Sequence, residues 1–132
     1  MLDETLAQLN RLSRGPHGTI AADASQPETM AQCVTANLAQ HGPIHILVNN
    51  TGGPPGGPIT AATADAFLAA FTAHLLTAQA VTQLVLPGMQ AAQYGRVINI
   101  ISTSVKTPLK GLGVSNTVRA AVASWAKTLA GE

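Results

Sequence analysis

The sequence predicts an α/β unit, a parallel sheet flanked by helices, and three observations carry that expectation. "IHILVNN" (44–50) and "RVINIIS" (96–102) are near-continuous apolar runs, the signature of parallel strands covered on both faces. A long helical pattern from about 63 to 86 lies between them, as a right-handed crossover requires. Each run ends in small polar residues, and ligands of open α/β sheets sit beyond the carboxyl ends of the strands.

The remaining elements follow in order. Leucines at positions 2, 6, 9 and 12 predict a first helix with one apolar stripe laid against the sheet, and Gly15, Pro16 and Gly18 end it. "TIAAD" (19–23) reads as a short buried strand. Ser25 and Glu28 then stand in the capping-box relation, with Pro27 in the first turn, and predict a helix to about Gln40. In the 63–86 helix, Phe67, Phe71, Leu75, Ala78, Val81 and Val85 line one side, while Leu68, Leu76, Ala80 and Leu84 keep the other apolar too. A helix apolar nearly all round is buried nearly all round, so one side packs on the sheet and the other calls for a second subunit. The last helix carries Val118, Val122, Trp125 and Leu129 on one stripe and stops at Gly131. "GGPPGGP" (52–58) is read as a loop over a site.

Length and composition narrow the partners. The 132 residues make one domain, 1–132, and 46% hydrophobic against 10% charged residues leave few surface charges to keep it monomeric. A net charge of +1 without a Lys/Arg cluster excludes nucleic acid and anionic membranes as partners. The most apolar stretch, 66–86, is interrupted by Thr72, His74, Thr77, Gln79, Thr82 and Gln83, which argues against a membrane span. Cys33 is the single cysteine, so no internal disulfide is expected and a reducing cytoplasm fits; the acidic start "MLDETLAQLN" is unlike an export signal. His17, His41 and His45 lack ligand spacing, and no metal site is expected.

The predicted strand ends bring Asp23, the segment Asn49 to Gly53, and Ser102 to Ser104 toward one crevice. Gly52 and Gly53 permit positive φ and let a flat or phosphorylated ligand approach the backbone, while Asn49 and Asn50 can hold neighbouring strands through side-chain hydrogen bonds. The plainer reading of "NNTGG" is a turn and no more.

Taken together, "DAS" (23–25), "LVNNTGG" (47–53), "LPGM" (86–89) and "GRVINIIS" (95–102) resemble the short-chain dehydrogenase/reductase family in order and spacing, from about Gly18 to Glu132. The resemblance implies a doubly wound (Rossmann-type) parallel sheet, NAD or NADP as cofactor, and a small-molecule carbonyl or alcohol substrate such as a 3-oxoacyl thioester. Asp23 matches the family's acid beside the adenine, Asn49, Asn50, Thr51 and Gly52 its Asn-Asn-Ala-Gly turn, and Ser102 its carbonyl-orienting serine. It also implies pairing of two copies through the helices at 63–86 and 115–130.

Three other active positions depart from the family's pattern. Its tyrosine is replaced by Ser115, its lysine by Arg119 and its structural asparagine by His74. A ketone that accepts hydride needs a proton on oxygen, and a phenol supplies one when a nearby ammonium lowers its pKa from about 10. An aliphatic hydroxyl is a far weaker acid. Arg119 can still hydrogen-bond a ribose but does not readily release a proton. Ser115, water held by Ser102, and His74 remain as alternative proton sources, with His74 as a hydrogen-bonded packing residue the alternative to any such role.

The resemblance also implies that the first strand, the Gly-rich phosphate loop and the strand that reads the ribose precede Met1, and that further strands follow Glu132. No G-x-G-x-x-G occurs here, and because the residue that reads the ribose would lie on that second strand, the choice between NAD and NADP is not written in this sequence. Two functions are therefore expected in competition: a divergent NAD(P)-dependent oxidoreductase, or a catalytically inactive relative that acts only in assembly.

Overall fold

The computed structural model describes residues 2–13 and 15–132. Its elements are α1 (Leu2–Leu12), α2 (Pro27–His41), β1 (Ile46–Asn49), α3 (Ala64–Phe71), α4 (Thr77–Ala91), β2 (Arg96–Asn99) and α5 (Gly113–Leu129). The two strands pair in parallel, with Ile46 opposite Arg96 and Asn49 opposite Asn99. The expected α/β architecture is therefore present, as a two-stranded parallel sheet with helices among the described residues.

The crossover from β1 to β2 is longer than the apolar period alone predicts. Thr63 caps α3, its hydroxyl accepting from Ala66 N–H at 3.2 Å. Between α3 and α4 the helix widens into a π segment, Thr72–Leu76, closed by Thr77 N–H on the carbonyl of Thr72. Thr77 also shares its hydroxyl proton between the Ala24 carbonyl at 2.6 Å and the Thr72 carbonyl at 3.2 Å, which ties the 23–25 loop to this widened turn. Pro87 lies inside α4 instead of ending it, so the helix continues five residues past the expected boundary.

The core lies on one side of the sheet. Val34 of α2 packs with Val81, Val85 and Met89 of α4, and Leu47 and Val97 of the strands close over them. A second cluster joins Ala70 of α3 to Val114 and Val118 of α5. Val85 and Val118 are each 1% exposed, and burial of such a side chain stabilises the fold by about 1.5–3 kcal/mol. Taken alone, the Ala64–Ala91 helix has the length and mean hydropathy, 1.3, of a membrane span, but here its buried ridge is part of this core.

Four expectations need correction. The strands are not covered on both faces: Ile46, Val48, Ile98 and Ile100 stay about half exposed, because α2, α4 and α5 pack on the opposite side. "TIAAD" forms no strand; residues 19–23 have no regular secondary structure, Ile20 is exposed, and no described strand pairs with them. The leucine stripe of α1 packs on nothing deep, since α1 has no buried residue and Leu12 is 84% exposed. The capping box at α2 is replaced by a turn in which Ser25 N–H donates to Asp23 Oδ1 at 2.8 Å, and Gln26 stands at the cap with no side-chain bond.

The Gly/Pro loop after β1 is pinned at its far end. Gly57 N–H donates to the Gly111 carbonyl at 2.6 Å and Gly113 N–H returns to the Gly57 carbonyl at 3.3 Å, a two-bond bridge between this loop and the start of α5. Gly113 is required there: a Cβ would stand 2.5 Å from Ile59 Cβ and 2.6 Å from Ile59 Cα. Glycine thus lets α5 start against the turn at Ile59–Ala61.

Candidate functional site

The carboxyl ends of β1 and β2 open into a cavity of about 250 Å³. Asn49 at the end of β1 with Asn50 and Thr51 just after it, Asn99 at the end of β2 with Ile100 and Ile101 just after it, His74 from the π segment, Arg119 from α5 and Ala24 from the loop before α2 meet around it. Gly52 and Gly53 continue into a second, wider groove of about 670 Å³ under the Gly/Pro loop, and His74 lines both spaces. Of the residues predicted for the site, Asn49 to Gly53, His74 and Arg119 are gathered at these two spaces, with Asp23 one residue away.

Arg119 is 9% exposed, and backbone carbonyls hold its guanidinium. Nη1 donates to the Ile100 carbonyl at 2.7 Å and the Ile101 carbonyl at 3.3 Å, and Nη2 to the Thr51 carbonyl at 3.4 Å. A planar fork of donors suits several carbonyls at once, which a single ammonium does less well. One side chain of α5 thus joins the ends of both strands.

His74 is 7% exposed, and its Nδ1 is hydrogen-bonded to the Thr51 hydroxyl. Burial lowers its pKa below the ordinary 6.5, and the Arg119 charge lowers it further. The imidazole is therefore neutral at pH 7. Asp23 is fully exposed, and the bonds it receives from Ser25 hold its carboxyl below the usual 3.8. An ionised acid at that position is available to solvent or ligand.

Ser102 and Ser115 stand differently. The Ser102 hydroxyl accepts from Ser104 N–H at 3.1 Å and so caps the short helix Thr103–Val105; its own O–H remains a donor. Ser115 is half-buried in the first turn of α5, four residues before Arg119. Neither lines the two spaces that Arg119 and His74 define. The glycines also act otherwise than expected, because neither Gly52 nor Gly53 has positive φ. The space around them is open: a Cβ on Gly52 would meet nothing within 4 Å, and one on Gly53 would come only to 3.7 Å from Arg119 Nη2.

Two features escaped the sequence reading. The Thr51–His74 bond joins residues 23 positions apart across a π segment that apolar periodicity does not reveal. Asn99 reads in the sequence only as part of a strand, although a polar amide inside an otherwise apolar run was the available signal. Among the described residues no cluster of three or more His, Cys, Asp or Glu could hold a metal.

The short-chain dehydrogenase family model matches residues 1–132. The chain belongs to the short-chain dehydrogenase family. An oxidoreductase of Mycobacterium tuberculosis is 32% identical over 130 residues, 98% of this chain and 49% of that protein. A Streptomyces violaceoruber protein, named provisionally as ketoacyl reductase 1 of the granaticin polyketide synthase, is 34% identical over 110 residues, 79% of this chain and 40% of its own. Among solved structures, L-sorbose reductase of Gluconobacter frateurii, complexed with NADPH and L-sorbose, superposes with a TM-score of 0.90 at 26% identity. It is matched over 98% of this chain and 49% of its own. The chain thus spans about half the length of these short-chain dehydrogenase relatives.

Proposed function

We propose that the chain serves in an NAD(P)-dependent oxidoreductase of the short-chain type, moving hydride between a nicotinamide cofactor and a carbonyl or secondary alcohol. The supporting observation is the meeting of the Asn49–Gly53 turn, the end of β2 and Arg119 around one cavity at the carboxyl edge of a parallel sheet. The open space at Gly52 fits a flat ring, and an ionised Asp23 fits the adenine side. The residues present suit these ends of the cofactor and not its pyrophosphate, since the sequence holds no G-x-G-x-x-G.

In this reading Ser102 orients the carbonyl and Arg119 faces the nicotinamide ribose with donors beyond those on the strand carbonyls. The proton comes from Ser115 or from water held by Ser102. A 3-oxoacyl thioester is the first substrate to try, with the Streptomyces relative as its support. The unit is a partial dinucleotide-binding domain, working in a reducing cytoplasm and pairing with a second copy through the helices at 63–86 and 115–130. Titration with NADPH and NADH tests it: cofactor fluorescence should change and the melting temperature should rise. No response to either cofactor sinks the reading.

A second reading has its own support. The Ser102 hydroxyl is engaged as a cap and three carbonyls hold Arg119, which suits a scaffold that turns nothing over. In that case the chain self-associates and leaves both cofactors unbound.

A further inference from the structure

Backbone pairing holds the chain at Asn49, whose carbonyl accepts from Ile100 N–H at 2.9 Å, and next at Gly57, whose N–H donates to Gly111 at 2.6 Å. Among the described residues no backbone-to-backbone bond is made from 50 to 56 between those two points. Thr51 is the residue there that side chains grip, and it is gripped at both ends. His74 takes its hydroxyl and Arg119 takes its carbonyl. Both gripping residues are buried and sit on different elements, His74 on the π segment and Arg119 on α5.

The π segment matters to this grip. It inserts a wider turn at Thr72–Leu76, and His74 stands at its centre. Thr77 locks that turn from below through its two carbonyl contacts. A buried imidazole and a buried guanidinium, from different elements, thus touch Thr51 in common. The Nδ1 edge of this buried imidazole is committed to the Thr51 hydroxyl, so it holds the turn whatever the other ring nitrogen does.

We propose that His74 is a positioning residue, which with Arg119 clamps Thr51 by side chain and main chain and so fixes the 49–53 turn. The clamp stands on the contacts alone; its effect on a cofactor rests on the reading in the preceding subsection. Thr51→Val removes the hydroxyl at constant shape, Thr51→Ser keeps it, and His74→Gln replaces the ring.

Nitrogen-15 relaxation of the Gly52 and Gly53 amides in the 132-residue chain tests the clamp. Order parameters near about 0.85 are expected in the parent and in Thr51→Ser, falling below about 0.6 in Thr51→Val and in His74→Gln. The double variant Thr51→Val/His74→Gln should be no more mobile than either single one. Unchanged order parameters in both single variants, with a folded amide spectrum, overturn the proposal, as does additive loosening in the double. Should those variants fail to fold, the parent still decides: its His74 ring must show one neutral tautomer by long-range nitrogen correlation, and a mixture of tautomers overturns the clamp.

Titration with NADPH and NADH separates this proposal from the functional reading. If the parent binds and His74→Gln binds about tenfold more weakly, positioning is supported, since one lost hydrogen bond is worth about that factor. If His74→Gln loosens the turn yet binds as tightly as the parent, the link to the cofactor is overturned. A parent that binds neither cofactor overturns the functional reading and the cofactor clause, while the order parameters still decide the clamp.

Discussion

Asn49 and Asn99 close the sheet where its two strands end. They are partners in register, and Nδ2 of Asn49 donates to Oδ1 of Asn99 at 2.9 Å across the half-buried face. Both asparagines line the cavity at the carboxyl ends of the strands. An asparagine that could have been only a ligand group is thus also a clasp between strands. Replacing either one by alanine leaves the other amide half-buried without this partner, at a cost of about 1–2 kcal/mol. Urea unfolding of Asn49→Ala, Asn99→Ala and the double variant checks it. The double should cost no more than about the larger single loss; additive losses would show that the two side chains do not act together.

Gly113 offers a test in which two effects have opposite signs. Alanine at an exposed helix position gains up to about 1 kcal/mol over glycine. Here its Cβ would lie 2.5 Å from Ile59 Cβ, so the loop or α5 must shift. Overpacking of this kind costs about 1–3 kcal/mol, and Gly113→Ala should therefore melt below the parent. Ile59→Ala should not rescue it, because Ile59 Cα, at 2.6 Å, crowds the new atom as well. A variant as stable as the parent would mean that α5 does not start against this turn.

The depressed pKa of His74 predicts a pH dependence of stability. Burial and the Arg119 charge make the folded state a weaker proton acceptor than the unfolded chain, whose histidine titrates near 6.5. Above that pH both states are neutral and the group contributes no dependence. Below it the unfolded chain binds the extra proton first, so stability falls as pH falls from 6.5 toward the folded-state value. Thermal melts from pH 8 to pH 5 should slope downward on the acid side in the parent and slope less in His74→Gln. Equal slopes would place the acid sensitivity elsewhere. Asp23 acts in a separate window, near and below 3.8, because its own pKa is lowered by the Ser25 bonds.

Much of this arrangement was legible because it is written locally. The two strands announced themselves as apolar runs ending in Asn-Asn and Ile-Ser, and α5 by the period of Val118, Val122 and Trp125. The failures are all cases in which a partner decides. "TIAAD" has the composition of a strand, but a strand exists only beside another, and five residues cannot say whether one is there. Apolar residues on both faces of β1 and β2 mark two faces that could be covered; they do not say what covers Ile46, Val48, Ile98 and Ile100. The Thr51–His74 contact depends on a π turn whose five-residue reach leaves no apolar period to read. At the site, residue types pointed to the right strand ends, but the engagement of Arg119 with three carbonyls needed coordinates.

Two parts of the exposed apolar surface bear on pairing, and variants can tell them apart. On the long helix Leu76 is 44% exposed and Leu68 64%, the latter lining an apolar hollow with Phe67, Phe71 and Val118. The second part is the bare sheet face at Val48 and Ile98. If copies pair through the helices, Leu68→Glu should shift sedimentation from dimer to monomer while Val48→Lys leaves the dimer intact. The reverse pattern would assign association to the sheet, and a monomeric parent would remove the pairing proposal altogether.

The sharpest test of the oxidoreductase reading is to restore the missing acid. Hydride delivery leaves charge on the carbonyl oxygen, and a placed general acid contributes about 10²- to 10⁴-fold in rate. Ser115 is short and weakly acidic, and Arg119 is fixed on the Ile100, Ile101 and Thr51 carbonyls. Arg119→Lys alone should therefore lose stability, by about 1–3 kcal/mol, because one ammonium cannot meet three carbonyls with the same geometry. Ser115→Tyr combined with Arg119→Lys supplies both the phenol and the cation that makes it acidic, four residues apart on one helical face. Turnover of a ketone with NADPH or NADH should then rise toward that range in kcat, with a smaller change in KM for the cofactor. A double variant that folds and binds cofactor but stays silent would show that the carbonyl never reaches the hydride, and the oxidoreductase reading would fall.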